Sequence, residues 1–452
     1  MRIFFLLAFR NFIKSVGLNA LNLLGLSAGI IAALLIIVYA DHEYHFDHFH
    51  QKVDNIFRVE GRTNGSEWYV NLGVEHAREL ATGTYPEIEA VVMLNRGERA
   101  FFQASTGPRF PETNVLQTDV GSRFFDLFDF ELIAGSQEEA LAAPHSLVLT
   151  QSLAEKYFGD QAPLGQTVYY DTIPLQVTAV LSDLPSDSHI DFDLLLTSPS
   201  LDQTSHYHVA TYVALSRGAD ELTLKEKILA MDVAYDEYHE LADVELMPLG
   251  DIHLRSTASF GSSGKGDPLQ LRILLVVGGL ILLITIANYL NLASALYLGK
   301  GRAVGVRKVF GESRKLLIRS LVLESFLMVL LTVPIIWIGF SVLLPGLNLL
   351  LDVRLENKLV TTPMYGVGTI GFLAFVSMVT VTFPALSLSR SPIHDLLKSK
   401  SAMNITGGTH YRNALIFFQF ILLFTLGLSG WFMNRQIEYL DSKDVGFDPV
   451  GV

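Results

Sequence analysis

Five stretches of this chain carry no Asp, Glu, Lys or Arg: residues 15–40, 273–299, 325–351, 359–389 and 413–434. Each is long enough to cross a bilayer, since about 20 apolar residues in a helix span the roughly 30 Å hydrocarbon core. Five such runs argue against the buried core helices of a soluble protein. A different pattern fills residues 41–268. β-Branched runs at 146–149 and 175–180 alternate there with helical periodicity at 68–80 and 222–235. Thr150 or Ser152 is positioned to cap a short helix that stops at Gly159. The expected fold is an α-helical membrane protein of five spans, with a large α/β extracytoplasmic domain inserted between helices 1 and 2.

The predicted organisation follows. Residues 1–14 form an amphipathic surface helix, in which Phe4, Phe5, Leu7, Phe9 and Phe12 are interleaved with Arg2, Arg10 and Lys14. Span 1 covers 15–40 and the external domain 41–268. Span 2 covers 271–299, a basic loop 300–320, span 3 residues 321–351 with Pro334 inside it, and span 4 residues 359–389. Gly407 and Gly408 mark a flexible connection before span 5 at 413–434, and 435–452 form an external tail. Val38-Tyr39-Ala40 has the small-residue pattern of a cleavage site. The uncharged run before it is too long for a signal-peptide core of about 7–15 residues, so an uncleaved span is expected.

Charge orients the spans, because Lys and Arg stay on the cytoplasmic side. Residues 300–319 hold seven basic residues against Glu312 alone, and 390–412 hold four against Asp395. Residues 41–268 hold 37 acids against 14 Lys and Arg. The N-terminus and the basic loops are therefore expected inside and residues 41–268 outside. The net charge of -13 averages these two populations. No nucleic-acid footprint is present. With no cysteine, disulfides and thiolate metal sites are excluded.

Three stretches carry candidate chemistry. Asp41-His42-Glu43-Tyr44-His45-Phe46-Asp47-His48-Phe49-His50 is rich in potential ligands. A zinc-protease helix needs HExxH, and Phe46 occupies the place of the second His. His42, His45 and His48 could still hold a metal on a helix, but membrane-proximal surface histidines are the commoner outcome, and no metal is expected. Gly264-Lys265 is the nearest approach to a phosphate-binding P-loop. Ser259 stands where the first Gly is needed and Gly266 where Ser or Thr is needed, so this chain has no catalytic site for ATP by that route. Ser391, His394 and Asp395 supply the residue types of a hydrolase triad, but they are crowded into five residues. A solvated helix start after Pro392 is expected instead.

Ala287-Asn288-Tyr289-Leu290-Asn291-Leu292-Ala293-Ser294 is followed by Gly301-Arg302-Ala303-Val304-Gly305-Val306-Arg307-Lys308-Val309-Phe310-Gly311-Glu312 and then by Leu323-Glu324-Ser325. This arrangement resembles the core of the MacB/FtsX-like ABC permeases in their Bacteroidetes-type form. Phe383-Pro384-Ala385, Ser391-Pro392 and Leu397-Lys398 resemble that family's exit from the fourth span. Residues 140–165 and 177–194 resemble the MacB-type periplasmic core domain, and Glu43 with Phe46-Asp47-His48-Phe49-His50 resembles the junction beneath it. Two positions depart from the pattern: Val304 stands where the family usually has Glu, and Glu312 where it usually has Ala.

The resemblance implies a permease without its own cofactor, in the bacterial inner membrane, served by a cytoplasmic ABC ATPase dimer that holds ATP and Mg. It implies membrane lipid and an unidentified extracytoplasmic substrate or partner as further partners. Arg302, Gly305, Val306, Arg307, Lys308, Gly311 and Arg314 are expected in a coupling segment that meets acidic ATPase surface. Asn288, Asn291 and Glu324 are expected as intramembrane polar groups, with packing favoured over coupling for the asparagines. Span 5 and residues 436–447 resemble the start of a second half, so either a second permease half or a homodimer is expected to complete the assembly. A membrane-anchored sensor or scaffold without an ATPase is the alternative.

Overall fold

A computed structural model describes residues 16–443 except for 64–67, 69–70, 98, 106, 199–207, 232–240, 259–265, 299, 352, 391, 394–395 and 397–407. The expected surface helix at 1–14, the Gly264-Lys265 segment, Ser391, His394, Asp395, Gly407 and the tail beyond 443 lie outside these residues. The chain divides into two compact units, one formed by residues 1–39 with 272–452 and one by Ala40–Leu271.

The first unit is helical. Its described helices longer than four residues are α1 (Val16–Tyr44), which continues into the second unit, α2 (Pro268–Leu298), α3 (Gly301–Val309), α4 (Arg314–Leu330), α5 (Thr332–Leu351), α6 (Pro363–Arg390) and α7 (Gly408–Ser442). Among the described residues, five stretches are long and apolar enough to cross a membrane: Gly17–Tyr44, Pro268–Ala293, Arg314–Leu351, Pro363–Thr382 and Ile416–Leu440. Leu26, Ile30, Leu34 and Val38, one stripe of α1, are buried against residues including Leu321, Phe340 and Val376.

Proline chemistry sets two boundaries that the apolar pattern misses. Span 3 is broken at Leu331, which caps α4. Pro334 has no N–H and its ring crowds the carbonyl four residues earlier, at Leu330, so the helix restarts instead of running through. Span 4 starts at Pro363 rather than 359, because the residue before a proline disfavours helix. Thr362 is accordingly extended, at φ -119° and ψ 102°. Helix α7 runs past the expected end of its span, and Arg435 pairs with Glu438 one turn on at 3.0 Å.

In the second unit the sheet comprises thirteen strands among the described residues. From edge to edge its main path is Leu241–Pro248, Ile56–Thr63, His208–Leu215, Ile88–Arg96, Val115–Thr118, Leu194–Thr197, Ser146–Thr150, Ile173–Leu181, Thr167–Tyr170, Ala100–Ala104 and Arg109–Glu112. Most pairs are antiparallel. Ser146–Thr150 beside Ile173–Leu181 is parallel, as is Leu194–Thr197 beside Val115–Thr118. All five residues of Ser146–Thr150 are buried, as expected for a strand covered on both faces.

Helix Gln151–Phe158 begins and ends where the sequence predicts, with Thr150 as N-cap and Gly159 at φ +58°. Thr150 makes no side-chain cap bond; Asp183 Oδ1 accepts from the Ser152 N–H instead, at 3.0 Å. The helical expectation for 68–80 holds only from Val74 onward. Asn71–Gly73 pairs with His208–Ala210, so sheet pairing overrides helical periodicity there. The core is strongly aromatic: Phe124, Phe128, Phe130, Phe192 and Tyr212 pack together, with Phe128 edge-on to Tyr212 at 5.3 Å.

Candidate functional site

Helix α3 follows span 2 and is two-faced. Gly301, Val304 and Gly305, at spacings of three and four, are buried, while Val306, Val309 and Phe310 lie on the opposite face and are 42%, 59% and 85% exposed. Arg302 is exposed on that second face. The helix ends in paired reverse bonds: the Gly311 N–H donates to the Lys308 carbonyl at 3.0 Å and the Glu312 N–H to the Arg307 carbonyl at 3.1 Å. Gly311 sits at φ +83°, a left-handed position that this ending requires and that side chains other than glycine's resist. Ser313 then caps α4, accepting from the Leu316 N–H at 3.4 Å.

The predicted cations of this segment go to different places. Arg307 Nε lies 2.7 Å from Glu312. Lys308 Nζ donates to the Ser389 carbonyl at 2.9 Å, and Arg314 Nε donates to the Ser389 hydroxyl at 3.2 Å. Burial, and secondarily the Arg314 charge, push the Lys308 ammonium below its ordinary pKa. Lys300 Nζ pairs with Glu324 at 2.8 Å, tying the start of α3 to α4. Of the two departures from the family pattern, Val304 is buried, so that position does not face outward, and Glu312 neutralises Arg307 within the turn. Sequence reasoning missed Val309, Phe310 and Ser389. The first two were findable, since Val306, Val309 and Phe310 form an apolar helical face within a basic loop.

Inside the helical unit, Asn288 is exposed and Asn291 half-buried, with its Nδ2 unpartnered. A Cβ on Gly25 would lie 3.8 Å from Asn288 Nδ2, and a Cβ on Gly29 would overlap the Thr285 side chain. The first is ordinary van der Waals contact, whereas glycine at position 29 lets α1 and α2 approach closely.

In the second unit the histidine-rich stretch is built into the structure. His253 Nε2 lies 2.8 Å from Glu43, and its ring stacks on Phe46 at 3.7 Å. A Cβ on Gly266 would come within 2.6 Å of His253 Nε2, so the chain passes close over that pair. Asp47, fully buried at φ +62°, accepts from the His189 N–H at 3.0 Å, and its other oxygen lies 2.8 Å from His189 Nδ1. His189 Nε2 lies 2.9 Å from the Tyr212 hydroxyl. His50 accepts from the Asp129 N–H at 2.9 Å and lies among Phe49, Phe128 and Phe130. Burial, opposed in part by Asp47, lowers its pKa to about 4. No group of three metal-ligating side chains occurs among the described residues.

The model of the MacB-like periplasmic core domain matches residues 19–231. Residues 19–231 thus form a domain of the MacB-like periplasmic core family. The chain is a multi-pass membrane protein with an extracytoplasmic α/β domain; MacB-like permeases work with a cytoplasmic ABC ATPase. Among solved structures, a domain described as part of a permease from Porphyromonas gingivalis is 21% identical, covering 50% of this chain and 99% of its own, with a TM-score of 0.38. The periplasmic region of MacB from Actinobacillus actinomycetemcomitans is 18% identical, covering 44% and 90%, with a TM-score of 0.32. The extracellular domain of the noncanonic ABC-type transporter YknZ from Gram-positive bacteria is 15% identical, covering 38% and 88%, with a TM-score of 0.28. No match is found among curated proteins.

Proposed function

We propose that this MacB-like chain is the permease subunit of an ABC transporter. A separate cytoplasmic ATPase dimer supplies ATP and Mg, and its nucleotide cycle moves the extracytoplasmic domain to export, extract or otherwise do mechanical work on a substrate outside. In this reading the N-terminus and residues 300–320 lie in the cytoplasm and residues 41–268 in the periplasm of an inner-membrane protein, which the basic and acidic balance of those segments supports. A second permease half or a second copy completes the assembly.

The observation that carries this reading is the exposed face of α3. A helix buried on one side and presenting Val306, Val309, Phe310 and Arg302 on the other is a ready docking element, since exposed apolar groups rimmed by charge mark interaction surfaces. Full-length protein solubilised from its own membranes is expected to retain a P-loop ATPase. Phe310→Glu is expected to lose it without changing the amount of folded permease. A wild-type preparation that never retains an ATPase would overturn the proposal.

A further inference from the structure

The two cations nearest the α3–α4 turn do not point towards a partner. They converge on one residue, Ser389, in the last turn of α6. Lys308 comes from the end of α3 and takes the Ser389 carbonyl; Arg314 comes from the start of α4 and takes the Ser389 hydroxyl, which itself donates to the Leu386 carbonyl at 2.9 Å. Ser389 is 8% exposed. The last carbonyls of a helix lack intrahelical partners and carry its negative pole, so Lys308 completes the hydrogen bonding there and, with Arg314, opposes the dipole. Holding two like charges this close needs such an anchor, and the Gly311 turn between them sets their spacing. At the other end of α3, Lys300 is fixed to Glu324 of α4.

We propose that Ser389 is a positioning residue through which the cytoplasmic turn is clamped to α6, so that displacement of α3 is passed directly to the fourth span. This rests on the reading of α3 as the ATPase-docking helix only for the source of the displacement; the clamp itself is a property of the chain alone. It also divides the labour of the segment. Val306, Val309 and Phe310 face outward to receive a push, whereas Lys308 and Arg314 reach back to Ser389 to deliver it.

Hydrogen exchange on the full-length chain in lipid nanodiscs tests the clamp without any ATPase. Lys308→Met is expected to raise exchange about tenfold both at 308–312 and at 386–390, as for loss of a buried hydrogen bond. Ser389→Ala, which removes the hydroxyl that Arg314 takes but keeps the carbonyl that Lys308 takes, is expected to raise it at 386–390 and less at 308–312. Lys308→Arg is expected to restore protection, and Lys315→Ala, a change at an exposed neighbour, to leave both segments unchanged. If Lys308→Met loosens the turn but leaves 386–390 untouched, the clamp is overturned. In preparations that retain the ATPase, Lys308→Met is expected to keep ATPase binding while losing the nucleotide-dependent change in protection at 386–390. Equal loss of binding and of that change would mark the contact as merely structural and sink the positioning role. Should wild type retain no ATPase while the exchange results hold, the transporter reading fails and the clamp stands.

Discussion

At the scale of single residues, the external unit keeps its ionisable groups in unusual states. His50 is held neutral: the Asp129 N–H occupies Nδ1 and aromatic rings surround the rest of the imidazole. Its pKa falls from the ordinary 6.5 to about 4. As the pH drops below 6.5 the unfolded chain takes up a proton here that the folded chain refuses until about pH 4. Stability is therefore complete above 6.5 and is lost progressively between 6.5 and 4, by roughly 3 kcal/mol in all. Denaturant unfolding at pH 7 and pH 4.5 is expected to show this loss in wild type and a smaller one in His50→Gln. A second case is Arg58, 1% exposed, whose guanidinium reaches Glu60 and the Ser256 hydroxyl. Arg58→Met alone leaves the Glu60 carboxylate buried without its counter-charge and is expected to cost about 3–5 kcal/mol, whereas Arg58→Met with Glu60→Met is expected to come within about 1 kcal/mol of wild type. Unfolding midpoints of the three proteins check the difference.

At the scale of elements, the close approach of α1 and α2 is decided by Gly29 against Thr285. Gly29→Leu is expected to destabilise the helical unit by about 1–3 kcal/mol through overpacking, and adding Thr285→Ala to recover part of the loss; thermal unfolding in detergent reads both. Sequence alone located the five spans, because length and absence of charge are local properties. It located helix Gln151–Phe158 through its cap and its glycine stop. It misplaced the starts of two helical stretches, where Pro334 and Pro363 act on the backbone while leaving hydrophobicity unchanged, and it read Asn71–Gly73 as helix because the partner strand lies far along the chain. In the candidate site, the glycine ending of α3 was visible as Gly311. The bonding of Lys308 and Arg314 to Ser389 was not, since nothing near them in sequence announces that residue.

At the scale of the whole molecule, the absence of native cysteine makes topology directly measurable. With Leu222→Cys, at a position 72% exposed in the external unit, a membrane-impermeant maleimide is expected to label intact cells stripped of their outer membrane. Phe310→Cys, at 85% exposure, is expected to label only after the inner membrane is opened. Labelling of both from one side would overturn the orientation. Topology also sets how the external unit answers to force. Its first long strand, Ile56–Thr63, and its last, Leu241–Pro248, are antiparallel neighbours, with Phe57 opposite Pro248. The chain therefore enters and leaves at the same end of one ladder. Drawing the two ends apart would load the rungs one after another, as a zipper opens, with the Glu43–His253 pair and the Phe46 stack guarding its mouth. Moving both ends together loads no rung at all. The unit is built to be carried whole and to yield when it is spread.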